Sequence, residues 1–374
     1  MNENALILTE KIENLRPIRL AIAGCANGRI RYAEALQESK RFKIVALSDS
    51  DPLAAKSWAR VVGSRTPIFE KFDALLENAK EIEAIFIASH TSLRSEEIEK
   101  ALLAGKPVLC DLPMTEEIAE TDRLFQIATE NNVPIFPMLP RRGDSWFTMI
   151  KEEIEKGVIG DIQQLRVHWN IPLLQTEETE IRLKESYSSR IDGAGVHAID
   201  ICRFWLGEFA TLSAKITLME EKTPRRKPTE DGIATLLLNH ETTQSLIHLN
   251  LTRSVYPGER YMLIGKHGTL ELVMEAGVSS ATNNSPKIVL QIADLPQQIL
   301  KPKQVLFSNF PPPIARIVHW LNLCADSIQF GTQFPITVED ARKTQEVLVA
   351  AWISAEEETK ISFPLRLLRL NSRK

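Results

Sequence analysis

For about 120 residues from Pro17, short continuous apolar runs alternate with longer stretches of helical periodicity, the pattern of strands joined by crossover helices on a parallel sheet. The runs at 18–23, 43–47, 84–88, 107–110 and 133–136 show no polar alternation, so they predict strands buried on both faces. Between them the spacing predicts helices over 31–39, 52–62, 72–78, 95–104 and 116–130, with Gly105 placed where a helix closes in a left-handed cap.

The character changes after Pro140. A helix over 146–156, stopped by Gly157, leads into 164–169, where apolar and polar residues alternate as in a half-buried strand. Further strands are predicted at 235–239, 244–251, 259–264 and 269–273, joined by short polar turns, and helices over 314–328 and 338–357. The expected organisation is therefore an N-terminal extension (1–16), a parallel α/β domain (17–138), and an α+β domain (139–374) with a large open, mostly antiparallel sheet. One face of that sheet needs a cover, which suggests a homo-oligomer.

Composition narrows the class. The 374 residues carry 45 Lys and Arg against 49 Asp and Glu, with 44% hydrophobic and 25% charged residues, as in an ordinary globular protein. With a net charge of -4 and no basic block, nothing forms an electrostatic footprint for nucleic acid. Cys25, Cys110, Cys202 and Cys324 lie too far apart for a zinc knuckle or a disulfide framework, which implies a reducing compartment. The first residues lack the basic and apolar regions of a secretory signal, and no segment approaches the roughly 20 apolar residues of a membrane span, so a cytoplasmic location is expected. His90, His168, His197, His240, His248, His267 and His319 lack metal-ligand spacing, and no metal is expected.

The candidate chemistry begins at the first strand–helix turn, Gly24-Cys25-Ala26-Asn27-Gly28-Arg29. In a dinucleotide fold this turn brings backbone N–H groups and a helix N-terminus to a pyrophosphate. Measured against G-x-G-x-x-G, Gly24 is in register, Ala26 and Arg29 replace the other two glycines, and Gly28 lies one residue early. Arg29 either obstructs close helix packing or meets a phosphate oxygen. The second strand ends at Asp49, 25 residues after Gly24, near the separation expected of the carboxylate that accepts the adenosine ribose hydroxyls. Such a carboxylate favours NAD over NADP, while the neighbouring Ser50 leaves the choice open. The plainer alternative is that Asp49 only starts a turn in Ser48-Asp49-Ser50-Asp51-Pro52.

Several separated motifs, in order, resemble the glucose-fructose oxidoreductase, inositol dehydrogenase and MocA family. They include 84–89, the run 104–113 ending in Asp111-Leu112-Pro113, Gly195-Val196-His197-Ala198-Ile199-Asp200, the 265–270 turn and 334–340. The resemblance implies a Rossmann domain binding NAD or NADP, followed by a domain that builds the substrate site and commonly an oligomer. It implies cofactor contacts from Ala88, Ser89, Asp111 and Pro113, and hydride transfer to or from a small sugar- or polyol-like substrate. In that family a lysine in a Glu-Lys-Pro motif holds the reacting oxygen, and here Leu112 takes its place. Losing such a donor costs about 10²–10³ in rate. The run Asp111-Leu112-Pro113-Met114-Thr115 echoes biliverdin-reductase-like members, which lack the lysine and reduce a bilin.

His197 is the catalytic candidate, expected in the first turn of a helix that ends at Leu206, with Asp200 one turn later fixing its tautomer. The alternative is a histidine that merely caps and packs. The family's aspartate four residues before this histidine is Gly193 here, with Asp192 one step off. Arg141 and Arg142 stand where basic residues often face the substrate and suit a carboxylate, phosphate or propionate; otherwise they are a solvated charge pair. Asn170, with Trp169, leaves the first strand of the second domain and is expected to line the same cleft, with Tyr187 and Arg190 as further candidates. Two functions remain open: an NAD(P)-dependent oxidoreductase, or a non-catalytic relative acting as sensor, regulator or assembly partner.

Overall fold

In the computed structural model the described residues are 15–25, 30–78, 81–171, 190–219, 231–251, 258–275, 286–303, 305 and 312–365. The strands β1 (Ile18–Ala23), β2 (Phe42–Ser48), β3 (Ile68–Phe69), β4 (Ala84–Ile87), β5 (Val108–Cys110) and β6 (Ile135–Pro137) form a six-stranded sheet in the order β3-β2-β1-β4-β5-β6. All its pairings are parallel. The crossovers are α1 (Ile30–Ser39), α2 (Pro52–Val62), α3 (Phe72–Asn78), α4 (Thr91–Leu103) and α5 (Ile118–Glu130). Every residue of β4 is at 0% exposure, as its unbroken apolar run requires of a strand covered on both faces. Burying Ile85, Phe86 and Ile87 contributes about 1.5–3 kcal/mol each. Because β2 and β4 flank β1 on opposite sides, the strand order reverses there, and a crevice opens outside the carboxyl ends of the strands.

A 3-10 turn (Pro140–Gly143) and α6 (Ser145–Glu155) lead to the second sheet. Its strands are β7 (Ile162–Asn170), β8 (Thr211–Met219), β9 (Asp231–Asn239), β10 (Gln244–Leu251), β11 (Gly258–Gly265), β12 (Gly268–Glu275), β13 (Lys287–Ile292), β14 (Gln298–Leu300) and β15 (Ile361–Ser362). They lie in the order β14-β13-β12-β11-β7-β10-β9-β8-β15. Only β7 and β10 run parallel; the other pairings are antiparallel. Alternation sets the faces: Leu165, Val167 and Trp169 of β7 are buried, while Arg166 and His168 are exposed.

The helices α7 (Arg190–Leu206) and α9 (Val338–Glu357) cover the inward face, together with α6. Thr337 and Asp340 form a reciprocal capping box that starts α9. The helix α8 (Pro312–Phe330) instead lies along α1, where Arg41 ties it to the first sheet through Asp326 at 2.7 Å and Gln329 at 2.7 Å. Among the described residues the four cysteines are buried and form no disulfide, no group of three or more residues has the makings of a metal site, and no helix is long and apolar enough to cross a membrane. The strands β3, β8, β13, β14 and β15 extend the expected pattern.

Candidate active site

The switch-point turn is built around Gly24. Its φ of 86° is left-handed, and its N–H donates to Ser48 O at 2.8 Å. A Cβ here would lie 2.2 Å from Ser89 N and 2.4 Å from Ala88 C, so only glycine lets the ends of β1 and β4 meet. Asp49 accepts the N–H of Cys25 at 2.5 Å and that of Asp51 at 2.8 Å. It therefore does begin a turn. An ionised carboxylate has about four acceptor sites, so it keeps capacity for ribose hydroxyls. Ser50 beside it is exposed, whereas Ala26, Asn27, Gly28 and Arg29 lie outside the described residues.

Glu97 on α4 adds a feature that the motif does not contain. Burial pushes its carboxyl up to about 7; Ser89 and Arg94 pull the other way, and Asp49 adds to the push. Its Oε2 is buried with no hydrogen-bond partner among the described residues. A turn that only glycine can form, a carboxylate at the end of β2 and a half-neutral acid beside them fit an adenine dinucleotide, whose phosphates and hydroxyls need both donors and acceptors.

Arg94 fastens the loops that frame the crevice. Its guanidinium, fully buried, donates to Ser89 O at 2.7 Å, to Asp111 O at 3.2 Å and to Pro113 O, and lies 3.5 Å from the Asp111 carboxylate. The chain through Asp111, Leu112 and Pro113 is thus held against the end of β4. His90, beside it, caps α4 by accepting the Ser92 N–H at 3.1 Å.

Against this edge the second sheet brings a polar cluster. His197 lies well inside α7, which begins at Arg190, and not in its first turn; the helix dipole therefore has little hold on it. Its low basicity has another origin. Burial, followed by the charge of Arg141 and a smaller push from Arg316, lowers it to about 3, although Asp111 and Glu259 oppose. The ring is neutral at ordinary pH, and its Nδ1 is buried with no partner among the described residues.

Arg141 lies with its guanidinium 4.4 Å from the Trp169 ring centroid and donates to Glu259 Oε1 at 2.8 Å. Tyr261 donates to the other oxygen of Glu259, also at 2.8 Å. Burial would raise the Glu259 carboxyl, but Arg141, Arg316 and these hydrogen bonds outweigh it and hold it below the usual range. Burial and Glu259 push the Tyr261 phenol well above its ordinary value. Phe147, Trp169 and Trp205 surround the Tyr261 ring at 5.2, 6.1 and 5.5 Å. Arg316 of α8 sits 5.6 Å from the Phe147 centroid, with its Nε 3.0 Å from Asp144.

The structure separates other expected site residues from this cluster. Asp200 does not orient His197. Its carboxylate takes Nη2 of Arg142 at 2.8 Å and Nε at 3.1 and 3.0 Å, and the Thr344 hydroxyl at 3.2 Å. Arg142 also lies 3.4 Å from Asp340, so it joins the 3-10 turn to α7 and α9 and has little left for a substrate. Neither arginine is a solvated surface charge, since only 12% of the Arg141 side chain and 10% of that of Arg142 are exposed. Asn170 alternates away from Trp169: it shares the outer face with His168, whose Nε2 lies 3.1 Å from Asn170 Oδ1. Asp192 accepts the Trp352 indole N–H at 2.5 Å, while Tyr187 and the Arg190 side chain lie outside the described residues.

Glu259, Tyr261, Arg316 and Glu97 were not foreseen. A signal existed for Glu259, a charged residue on the same inward register of β11 as the buried Tyr261 and Leu263. Another existed for Arg316, a lone charge in the apolar stretch Ile314-Ala315-Arg316-Ile317-Val318.

The parallel sheet with its glycine-only turn and the open-sheet domain beside it have the architecture of a Rossmann-type dinucleotide-binding protein with a second, open-sheet domain. Residues 18–138 match the family model of an oxidoreductase family with an NAD-binding Rossmann fold, and 147–271 match the GFO/IDH/MocA C-terminal domain. The chain belongs to the glucose-fructose oxidoreductase, inositol dehydrogenase and MocA family, and its first sheet is an NAD(P)-binding domain.

Its relatives are distant. It is 28% identical to the dTDP-3,4-didehydro-2,6-dideoxy-alpha-D-glucose 3-reductase of Streptomyces violaceoruber, over 52% of this chain and 56% of that enzyme. The match thus spans little more than half of that relative. It is 23% identical to the D-apiose dehydrogenase of Rhizobium rhizogenes, over 91% of this chain and 96% of that one. In fold it is similar to an oxidoreductase from Agrobacterium radiobacter in complex with NAD+, L-tartaric acid and magnesium, with a TM-score of 0.76 and 20% identity over 93% of this chain and 98% of that one. It is also similar to a Synechocystis biliverdin reductase in complex with biliverdin and NADP+, with a TM-score of 0.74 and 17% identity over 91% of this chain and 100% of that one.

Proposed function

We propose that this protein transfers a hydride between NAD or NADP and a small organic substrate of the sugar, polyol or bilin kind. One observation carries the reading: His197 lies within electrostatic reach of Asp111, on the crevice side, and of Arg141, Glu259 and Arg316, on the opposite side. On this reading the dinucleotide crevice and the polar cluster meet at His197.

In this reading Gly24, Ala26, Asn27, Gly28 and Arg29 hold the pyrophosphate, and Asp49 with Ser50 holds the adenosine ribose. Ala88, Ser89, Asp111 and Pro113 flank the nicotinamide, which when bound gives or takes the hydride. His197 stays neutral and accepts a hydrogen bond from the reacting hydroxyl; the proton released as that carbon gives up its hydride passes on to solvent rather than staying on the ring. Leu112 supplies no charge and keeps water from the reacting carbon. Asp200 and Arg142 position the turn that carries Arg141, and Asn170 takes no part in the pocket. We also propose, from the family resemblance, that the outer face of the second sheet packs against another copy in a cytoplasmic homo-oligomer.

The test has two stages. Titration with NADH and with NADPH, followed by energy transfer from tryptophan, is expected to give saturable binding of at least one of them. A survey of sugars, polyols and bilins at 340 nm then identifies the substrate. Absence of binding to both at millimolar concentration contradicts the proposal. The sensor reading has no observation of its own in favour.

A further inference from the structure

We propose that the polar cluster beside His197 takes a substrate bearing a carboxylate, a polyhydroxy acid rather than a neutral polyol, and that Arg316 selects it together with Arg141; this rests on the oxidoreductase reading above.

The two guanidiniums sit on neighbouring rings. Arg141 lies 4.4 Å from the Trp169 centroid and Arg316 lies 5.6 Å from that of Phe147, and both rings pack on Tyr261, at 6.1 and 5.2 Å. Each has a carboxylate at one edge, Glu259 at 2.8 Å and Asp144 at 3.0 Å. Each also has an edge left over. The Nε of Arg141 and the Nη2 of Arg316 are buried with no hydrogen-bond partner among the described residues, and the Arg316 side chain is only 6% exposed.

A buried donor without an acceptor costs about 1–3 kcal/mol, more when charged, so two of them around one tyrosine create a demand for acceptor oxygens. A hydroxyl meets that demand poorly, since it brings a proton that needs an acceptor of its own. A carboxylate only accepts, and its two oxygens match two charged donors on separate side chains. A phosphate carries more charge and a third oxygen than these two donors can satisfy. Glu259 and Asp144 already balance the two arginines, so the substrate's charge is held by these oriented N–H groups rather than by a net positive field. Leu112 leaves the loop through Asp111 and Pro113 without the lysine that would compete for the anion.

The experiment measures binding of D-gluconate, D-glucitol and D-glucose 6-phosphate to the full-length protein by calorimetry, with and without NADH. The NADH titration on the same samples reports separately on the hydride-transfer reading, because gluconate preference in its absence still tests the cluster. Gluconate is expected to bind the wild type at least about 10-fold more tightly than glucitol, a difference of about 1.4 kcal/mol. Arg316→Gln is expected to remove that preference while leaving NADH affinity unchanged, and Arg316→Lys, which keeps the charge and the partner of Asp144, to retain part of it. Should Arg316→Gln fail to fold, the lysine variant and the wild-type comparison still decide. Equal binding of gluconate and glucitol, tighter binding of the phosphate ester, or an unchanged preference in Arg316→Gln overturns the proposal.

Discussion

Replacing Asp200 by asparagine separates a positioning role from a catalytic one. The Asp200 side chain is 1% exposed and meets Arg142 through contacts of 2.8 to 3.1 Å, while the Arg142 side chain is 10% exposed. Removing one charge of a buried pair costs about 3–5 kcal/mol, because the other is left uncompensated. Asparagine keeps one acceptor oxygen for Arg142 and Thr344, and Asp340 stands by at 3.4 Å, so the lower part of that range applies, about 3–4 kcal/mol. At about 2–4 °C per kcal/mol, the melting temperature should fall by about 5–15 °C. Thermal melts by circular dichroism measure this, alongside NADH titration and turnover well below the transition. NADH affinity should stay unchanged, and turnover should keep its pH profile and fall less than about 10-fold. A double variant, Asp200→Leu with Arg142→Met, should regain part of the stability by replacing the ion pair with packed apolar groups. The reasoning is refuted if Asp200→Asn melts like the wild type but loses turnover about 100-fold or shifts the pH profile, since Asp200 would then act on the chemistry through His197.

Gly24→Ala should destabilise by about 2–4 kcal/mol, from left-handed strain together with overlap against the Ser89 backbone, and should weaken NADH binding in the same samples. His197 has a folded-state pKa lowered to about 3, so its contribution to stability is present above about 6.5 and is lost as pH falls toward 3. Melts of His197→Asn should lack that part of the acid-side slope, and turnover of the wild type should show no His197 inflection between about pH 5 and 9. Glu97 has the opposite sign: raised from 4.5 to about 7, it favours the fold fully below 4.5, and this is lost as pH rises through 7. Glu97→Gln should therefore be the more stable protein at pH 8, by an amount on the order of 2 kcal/mol in urea titration, and equal to the wild type at pH 4.

Both sheets were legible in the chain because their patterns are local. Unbroken apolar runs gave β1, β2, β4, β5 and β6, alternation gave β7, and runs set off by short polar turns gave β9, β10, β11 and β12. The two-residue β3 and β15 carry too little sequence for a period to be read, and β13 and β14 draw their partners from the tertiary fold. At the site, residue types were easier to read than their partnerships. Arg141, Arg142, His197 and Asp200 could be singled out from their motifs, but not that Arg142 would claim Asp200 from 58 residues away or Arg141 claim Glu259 from 118. Those pairings follow from how the 3-10 turn, α7 and β11 pack. The dipole argument for His197 failed for a local reason: α7 starts earlier than the Gly195 motif suggested.

The central claim is that the crevice at Gly24 and Asp49 and the cluster around His197 serve one bound coenzyme. A crystal structure of the full chain soaked with NADH or NADPH tests it most directly. The account predicts the pyrophosphate at the Gly24 turn and the nicotinamide ring between Asp111 and His197. A coenzyme bound elsewhere, or a crevice closed by side chains of the turn that follows Gly24, would contradict it.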